Sequence, residues 1–354
     1  MEASTALMEI SQAEQALQRA DDIGEILILR DKSAAIQLFA NAQGFKEAAQ
    51  KAKIFQLKAE RKAGSWLDEN VSREGGDFTS LYHDGRGLPE GITWHESSRW
   101  QQEAVLPEEK FNDWIDESLA NGWEISAAGL RHEAKHYEHE QKRGEMAESG
   151  MGLSIPETID FRLGDFRETC KSIHDNSISM IFTDPPYDDK TVPLFQDMAV
   201  LARRVLKPGG SLITYVGHHA IPMVLPLMTP HLRFWWILAL NYAEGPYNRL
   251  IGKNIFVEWK PLLWFVKGGR ANDVFIADKV DAPAPDKIAH EWQQGQVDYY
   301  INNLTEPGET ILDPFAGSGT TLIVASKNGR NSIGCEISEQ NFNIAKTYIN
   351  EQLR

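Results

Sequence analysis

The chain has 354 residues, of which 42% are hydrophobic and 25% are charged, as is typical of globular proteins. This composition excludes a disordered tail, a collagen-like fibre and a low-complexity protein. At ~100–200 residues per domain, the length predicts two or three domains. The formal net charge is −15, so the chain repels DNA at long range and any DNA contact must come from a local basic cluster.

Membrane insertion and disulfide bonding are both disfavoured. No stretch approaches the ~20 apolar residues that span a bilayer, and the N-terminal sequence lacks the basic segment and apolar core of a signal peptide. The chain has 2 cysteines, too few for a disulfide framework or a cysteine-built zinc site. These features predict a soluble, cytoplasmic protein that does not contact a membrane.

Residues 1–71 are predicted to form a helical bundle or a coiled-coil-like region. Ala, Glu, Gln, Leu and Lys dominate residues 5–70, which contain no proline. Apolar residues recur there at helical spacing. Lysines and arginines interleave with them, which favours a solvated basic face over a partner or nucleic-acid surface.

Residues 72–150 are predicted to be a helix-turn-helix-like region with a linker helix. The glycine-rich segment 72–92 predicts a loop. Residues 95–105 and 107–120 predict two helices, with a proline and two acids at the start of the second. A third, polar helix is predicted over residues 125–148.

The predicted helix 95–105 resembles the recognition helix of a helix-turn-helix. Its polar side chains Arg99, Gln101 and Gln102 could reach bases or phosphates. Trp100 could simply be a core residue of an amphipathic helix pair. DNA contact and an interaction or dimerisation role therefore both stay open for this region.

From residue 158 onward, short β-rich runs alternate with helical stretches. This alternation predicts an α/β fold in which helices cover both faces of a sheet. Residues 195–210 predict a helix that stops at its two final glycines, and residues 241–254 predict a loop. In such folds, ligands bind beyond the carboxyl ends of the strands.

A glycine-containing motif, DPFAGSGT, spans residues 313–320 between a predicted strand and a predicted helix. Gly317 and Gly319 permit a tight turn and a close backbone approach to a ligand. Glu336 follows Gly317 by 19 residues, at the end of the next predicted strand, where an acid can accept hydrogen bonds from ribose hydroxyls. The third glycine of a dinucleotide fingerprint is missing, which favours a mononucleoside-like cofactor.

A second motif, Asp184-Pro185-Pro186-Tyr187, ends another predicted strand. The two prolines fix φ and predict a rigid corner that projects a carboxylate, a carbonyl and an aromatic ring. Asp-Pro-Pro alone could also be a strand-terminating turn. Its occurrence with the glycine motif on one predicted sheet favours a functional corner.

Together, DPPY and DPFAGSGT resemble the S-adenosylmethionine-dependent amino-methyltransferases of DNA. DPPY is typical of adenine-N6 enzymes, and its position before the glycine motif resembles the β-group order. The similarity covers about residues 158–354 and includes LGD at Asp165, RVLKPGGSL and EWKPLLWFVKG. It implies a Rossmann-like methyltransferase sheet in residues 151–354, preceded by the mostly helical N-terminal region.

The resemblance also implies roles for individual residues. Asp184 and the Pro185 carbonyl would accept the hydrogens of an adenine amine, with Pro186 completing the corner and Tyr187 stacking on the base. A base in a duplex must be flipped, or already be unpaired, to reach them. No metal is required. The implied S-adenosylmethionine site comprises Asp165 at the adenine amine, Glu336 at the ribose, and Asp313, Phe315, Gly317, Ser318, Gly319 and Thr320.

The predicted activity is therefore DNA adenine-N6 methylation by a phage- or prophage-like enzyme. DNA is the expected partner, and the oligomeric state stays open, with a homodimer as one alternative because relatives of this order often pair. Segment 269–289 is too short for an independent recognition domain, so site selection is either relaxed or supplied by residues 72–150. Cytosine-N4 methylation, RNA adenine methylation and a catalytically silent regulator stay open, as does the purpose: restriction protection, anti-restriction or regulation.

Overall fold

The protein's structure is a computed structural model. It describes residues 2–71, 88–186, 190–241, 248–250, 253–269, 271, 275–281 and 291–354. The chain divides into two compact units, Met1–Lys142 and Arg143–Arg354. The three-part division at residues 71 and 150 stays a prediction. Within the described ranges, no helix is both long enough and apolar enough to cross a membrane.

The described part of the first unit is helical, as its composition predicts. Asp22 caps the second helix by accepting a hydrogen bond from the backbone N of Gly24 at 2.8 Å, and Gly44 ends that helix in the left-handed conformation. The helices are α1 (Ala3–Arg19), α2 (Ile23–Gln43), α3 (Lys46–Asn70), α4 (Trp94–Ala104), α5 (Glu108–Asn121) and α6 (Ala127–Gly150), the last of which crosses into the second unit.

Helices α3 and α4 pack at very close range because α3 carries a glycine at the contact. A Cβ atom on Gly64 would lie 2.0 Å from the backbone O of Trp100, so no side chain fits there. Trp100 is 4% exposed and packs in the core of this unit. Of the two interpretations of Trp100, the structure supports the core residue.

Two residues proposed to reach DNA, Arg99 and Gln102, are exposed on α4, and Gln101 is half-buried. Arg99 donates a hydrogen bond from Nε to the His95 carbonyl at 3.1 Å. DNA contact by α4 stays a prediction. The adjoining helix α5 has the sequence EEKFNDWIDESLAN, with five acids and one lysine, so it adds net negative charge to such a contact.

An ion pair with one buried partner, Glu103, joins α4 to α6. Glu103 is 1% exposed, and its Oε1 accepts a hydrogen bond from Arg131 at 2.6 Å. Burial disfavours the charged form and raises the pKa of Glu103 to about 7, although Arg131 opposes the rise. This carboxyl is therefore poised to titrate near neutral pH.

The second unit is an α/β fold. Its strands are β1 (Ile159–Leu163), β2 (Ile178–Thr183), β3 (Leu206–Tyr215), β4 (Arg233–Asn241), β5 (Asn248–Leu250), β6 (Ile255–Val257), β7 (Trp259–Val266), β8 (Lys279–Asp281), β9 (Thr310–Asp313) and β10 (Asn331–Glu336). Its helices, after α6, are α7 (Phe166–Thr169), α8 (Leu194–Val205), α9 (Ile221–Met228), α10 (Glu291–Leu304), α11 (Thr320–Lys327) and α12 (Glu339–Gln352).

The main sheet in the described part of the chain has eight strands in the order β1-β10-β9-β2-β3-β7-β4-β8. The pairs from β1 through β3 are all parallel, whereas β7 is antiparallel to both β3 and β4. Strand β2 lies in the middle and all six of its residues are buried. Such an apolar strand requires cover on both faces.

Alternate residues of β2 pack into different hydrophobic clusters. Ile181 lies in one cluster with α8 and α9 residues such as Phe195 and Val224. Phe182, on the opposite face, lies in another with Val297 and Tyr300 of α10. Because successive side chains of a strand point to opposite faces, helices cover the sheet on both sides. The predicted α/β fold, with helices on both faces of the sheet, is confirmed.

Two local predictions were wrong. Helix α8 ends at Val205, and the predicted glycine stop lies within β3, where Gly209 donates to the Lys267 carbonyl at 2.9 Å. Pairing with a distant strand overrode the local signal. The predicted loop 241–254 contains β5, which pairs with β6 in a separate two-stranded sheet.

Candidate active site

The two sequence motifs meet at the centre of the main sheet. Strands β9 and β2 are parallel neighbours, so their carboxyl ends lie at the same edge. The chain leaves β9 through α11 toward β10 on one side, and leaves β2 through α8 toward β3 on the other. This is a topological switch point, where open α/β sheets bind ligands in a crevice.

The glycine loop between β9 and α11 has the conformation that its sequence predicts. Gly317 has φ of 51° and Gly319 has φ of 81°, both in the left-handed region. A Cβ atom on Gly319 would also come 3.3 Å from Cδ1 of Ile349 on α12. The left-handed backbone conformation thus favours glycine at position 319, and a side chain there would also press against Ile349.

Glu336, at the end of β10, is bound directly to this loop. Its Oε2 accepts a hydrogen bond from the backbone N of Gly317 at 3.0 Å, and its Oε1 accepts one from the backbone N of Ser338 at 2.8 Å. Glu336 is largely buried, with 8% of its surface exposed. Each carboxylate oxygen can accept a further hydrogen bond, so a diol could bind here.

Asp313 joins the two central strands. Its Oδ1 accepts a hydrogen bond from Thr183 Oγ1 on β2 at 2.6 Å and one from the backbone N of Phe315 at 3.1 Å. Asp313 is only 4% exposed. Burial raises its pKa to about 6, against the lowering effect of the Thr183 hydroxyl, and the negative charge of Asp184 adds to the rise.

The predicted catalytic motif begins immediately after β2. Asp184 is half-buried, Pro185 is buried and Pro186 is exposed. Thr191 donates a hydrogen bond to the Pro186 carbonyl at 2.8 Å, which ties down the far side of the corner. Tyr187 lies outside the described residues, so its stacking role stays a prediction.

A third segment reaches this corner from β7. Lys260 donates from Nζ to Oδ2 of Asp184 at 3.0 Å. The same ammonium lies 4.3 Å from the ring centroid of Tyr215, whose hydroxyl donates to Oε1 of Gln296 on α10. Sequence analysis gave these three residues no role, although a lysine at the start of the apolar strand WKPLLWFV was a usable signal.

One cavity of about 210 Å³ connects the two motifs. Asp184 lies in its wall, and Asp313 with the glycine loop forms much of the rest. Its lining residues are Phe182, Asp184, Tyr215, Val297, Asp313, Phe315, Ala316, Gly317, Ser318, Thr320 and Thr321. The structure therefore brings most of the predicted cofactor residues to the same cavity as the predicted catalytic acid.

Asp165 lies at the same sheet edge but outside the lining of this cavity. The backbone N of Gly164 donates to the Glu336 carbonyl at 2.8 Å, which places Asp165 beside β10. Its carboxylate accepts from Arg167 Nη2 at 2.6 Å and caps α7 through the backbone N of Arg167. These hydrogen bonds lower the pKa of Asp165 and keep it ionised.

No metal site competes with this interpretation in the described ranges, where no three His, Cys, Asp or Glu side chains are grouped as ligands. The acids instead suit an organic cation with a diol. Glu336 can accept from hydroxyl groups, the Asp313 carboxylate can attract positive charge, and Phe315, 5.0 Å from Phe166 between ring centroids, supplies an aromatic surface. S-adenosylmethionine combines these features.

Residues 178–347 match the N6_N4_Mtase family model, described as DNA methylase. Among curated proteins, the chain is similar to the type II methyltransferase M.BglII of Bacillus subtilis, at 24% identity over 51% of this chain and 66% of the relative. It is also similar to the DNA adenine methyltransferase YhdJ of Escherichia coli, at 25% identity over 50% of this chain and 78% of that protein.

Two solved structures show similarity over more than half of the chain. The M1.HpyAVI–SAM complex aligns with 55% of this chain and 99% of its own, at 22% identity and a TM-score of 0.45. PvuII DNA methyltransferase, which is cytosine-N4-specific, aligns with 57% of this chain and 94% of its own, at 18% identity and a TM-score of 0.46. Residues 178–347, just under half of this chain, therefore carry its sequence similarity to the N6/N4 family of DNA methylases.

Proposed function

We propose that the protein is a DNA adenine-N6 methyltransferase that acts on a flipped or unpaired adenine. One observation carries the proposal: the Asp184 carboxylate and the glycine loop Asp313–Thr320 line the same cavity at the switch point of the sheet. An acceptor for an exocyclic amine therefore lies next to a site suited to the methyl donor. The adenine methyltransferase YhdJ among the relatives supports this choice of base.

The chemistry needs an amine whose lone pair is localised on nitrogen. That pair is normally delocalised into the base, which makes the amine a poor nucleophile. Asp184 and the Pro185 carbonyl each accept one N6 hydrogen, which directs the lone pair toward the methyl group. Pro185 and Pro186 lack backbone N–H groups and have fixed φ, so the corner holds this geometry by positioning the amine and stabilising its developing charge.

The cofactor residues act through complementary polarity. When bound, S-adenosylmethionine supplies an electrophilic methyl group on a positively charged sulfur. Glu336 would hold the ribose hydroxyls and Asp165 the adenine amine. Asp313 would attract the positive charges of S-adenosylmethionine. The remaining members of the site are Phe315, Gly317, Ser318, Gly319 and Thr320.

The recognised base sequence is proposed to be short and its selection to be relaxed. A duplex base must leave the stack to reach Asp184, and a large recognition domain does not fit in segment 269–289, most of which lies outside the described residues. Selection by residues 72–150 is the competing proposal. The five acids of α5 weigh against it, because DNA contact depends on a net positive surface.

The proposal is tested by transfer of a labelled methyl group to unmethylated double- and single-stranded DNA, followed by nucleoside analysis. We expect N6-methyladenine from the wild type and at least a roughly hundredfold loss in Asp184→Ala, with cofactor binding kept. Asp175→Asn removes an exposed acid that pairs with Arg204 at 3.0 Å and is the matched control.

Each alternative gives a different result. N4-methylcytosine would contradict adenine specificity, and methylation of RNA alone would contradict DNA as the substrate. Retained cofactor binding without any methylated product would identify a catalytically silent regulator. A homodimer and a cytoplasmic location are also proposed, the first to be checked by the mass of the protein in solution.

A further inference from the structure

The Asp184 carboxylate is paired with a cation, the ammonium group of Lys260. Lys260 Nζ lies 3.0 Å from Asp184 Oδ2, and the two side chains are 22% and 26% exposed. The ammonium also rests against the Tyr215 ring, at 4.3 Å from its centroid. Lys260 is thus held between a carboxylate and an aromatic face, both of which line the cavity.

Under the proposed function, this ion pair opposes methyl transfer. Methyl transfer builds positive charge on the amine nitrogen, which must approach Asp184 to within hydrogen-bond distance. A second positive charge on the same carboxylate repels it, and the repulsion is strong in a partly buried site because the effective dielectric constant is low. Lys260 must therefore leave Asp184 before the methyl group is transferred.

An extruded nucleotide provides another partner. It brings its phosphates to the carboxyl edge of the sheet, where β7 begins with Trp259 and Lys260. The flexible four-carbon stem of lysine lets the ammonium swing toward solvent, and lysine binds phosphate well as a point charge. When the Lys260 ammonium moves from the Asp184 carboxylate to a phosphate, the carboxylate is freed to accept the amine hydrogen. The ammonium stays paired with a negative charge throughout.

We propose that Lys260 is a positioning residue that binds Asp184 in the free enzyme and exchanges it for a phosphate of the extruded nucleotide. The carboxylate then becomes available when a nucleotide enters the cavity. No bond to carbon is made or broken in the exchange. It couples DNA engagement to the readiness of the catalytic acid.

The test measures DNA affinity as a function of salt concentration. The probe is a duplex with adenines opposite abasic positions, with S-adenosylhomocysteine present. Removal of one phosphate contact in Lys260→Met should reduce the slope of log K against log salt by about 0.9 and weaken binding roughly tenfold at low salt. Lys260→Arg should keep the wild-type slope.

Lys207→Met is the matched control, because Lys207 also pairs with an acid, Glu309, at 2.8 Å. Its slope should equal that of the wild type. Lys260→Gln, which keeps a hydrogen-bond donor, provides a second charge-removing variant if Lys260→Met does not fold. A wild-type slope in a folded, charge-removing variant would overturn the proposal.

Kinetics separate exchange from simple orientation of Asp184. Exchange predicts that Lys260→Met raises KM for DNA more than it lowers kcat. A lower kcat with unchanged KM would mean that Lys260 only orients the carboxylate, and would also overturn the proposal. If the wild type methylates no DNA, the proposed function fails, whereas the salt slope still decides whether Lys260 contacts a phosphate.

Discussion

Cofactor affinity should depend on pH through a single carboxyl group, Asp313. Burial raises the pKa of this group from 3.8 to about 6. The protonated fraction then falls from about 90% at pH 5 to about 10% at pH 7. Because only the ionised form attracts the positive charges of S-adenosylmethionine, its affinity should rise roughly tenfold over this interval.

Calorimetric titration of the full chain with S-adenosylmethionine between pH 5 and 8 measures this effect. Asp313→Asn keeps an oxygen that can accept from Thr183 Oγ1, at 2.6 Å in the wild type, but it cannot titrate. We expect weaker binding by this variant and little change with pH. Asp175→Asn should behave like the wild type. Wild-type affinity that is constant from pH 5 to 7 would refute the assignment of charge attraction to Asp313.

The cofactor-free protein should show the opposite trend in stability. A carboxyl with a raised pKa in the folded state contributes stability at low pH, and that contribution is lost as pH rises through about 6. At about 1.4 kcal/mol per pH unit, the rise in pKa amounts to roughly 3 kcal/mol. Urea unfolding should therefore show Asp313→Asn gaining stability relative to the wild type between pH 4 and 7.

Three further changes test other parts of the structure. Glu336→Gln places an amide NH₂ where a carboxylate oxygen accepts a backbone N–H, so the affinity for S-adenosylmethionine should fall roughly 10- to 100-fold in the same titration. Gly319→Ala forces a left-handed φ of 81° on alanine and should lower thermal stability by roughly 1–2 kcal/mol; an unchanged melting temperature would contradict this. Glu103→Gln should gain stability relative to the wild type as pH rises through about 7, because burial raises the pKa of Glu103. A difference in unfolding free energy between the two proteins that is constant from pH 5 to 8 would contradict the raised pKa.

The glycine loop shows what local sequence can predict. The order strand, DPFAGSGT, helix was sufficient to place a turn with left-handed glycines, and Gly317 and Gly319 have that conformation. The 19-residue spacing placed Glu336 at the end of the next strand, and the two meet at 3.0 Å. These features depend on short-range connectivity, which the sequence contains in full.

Strand pairing shows where local signals fail. Pro208 and the two glycines that follow look like a helix stop, yet they lie in β3. Gly209 is held there by the carbonyl of Lys267, which directly follows β7 and lies more than 50 residues later in the chain. Local propensity cannot report such a partner, because its contribution appears only after the chain has folded.

The sequence by itself determined the class of fold, the two motifs and the kind of cofactor, because these follow from residue type and spacing within short segments. Only the tertiary structure showed that Lys260 binds Asp184 and that Thr183 bridges β2 to Asp313. Asp313 acquires its raised pKa in the same way, from burial between strands distant in sequence. The electrostatic environment of a group depends on what surrounds it in three dimensions. Its neighbours in the sequence and the spacing of motifs along the chain do not specify that environment.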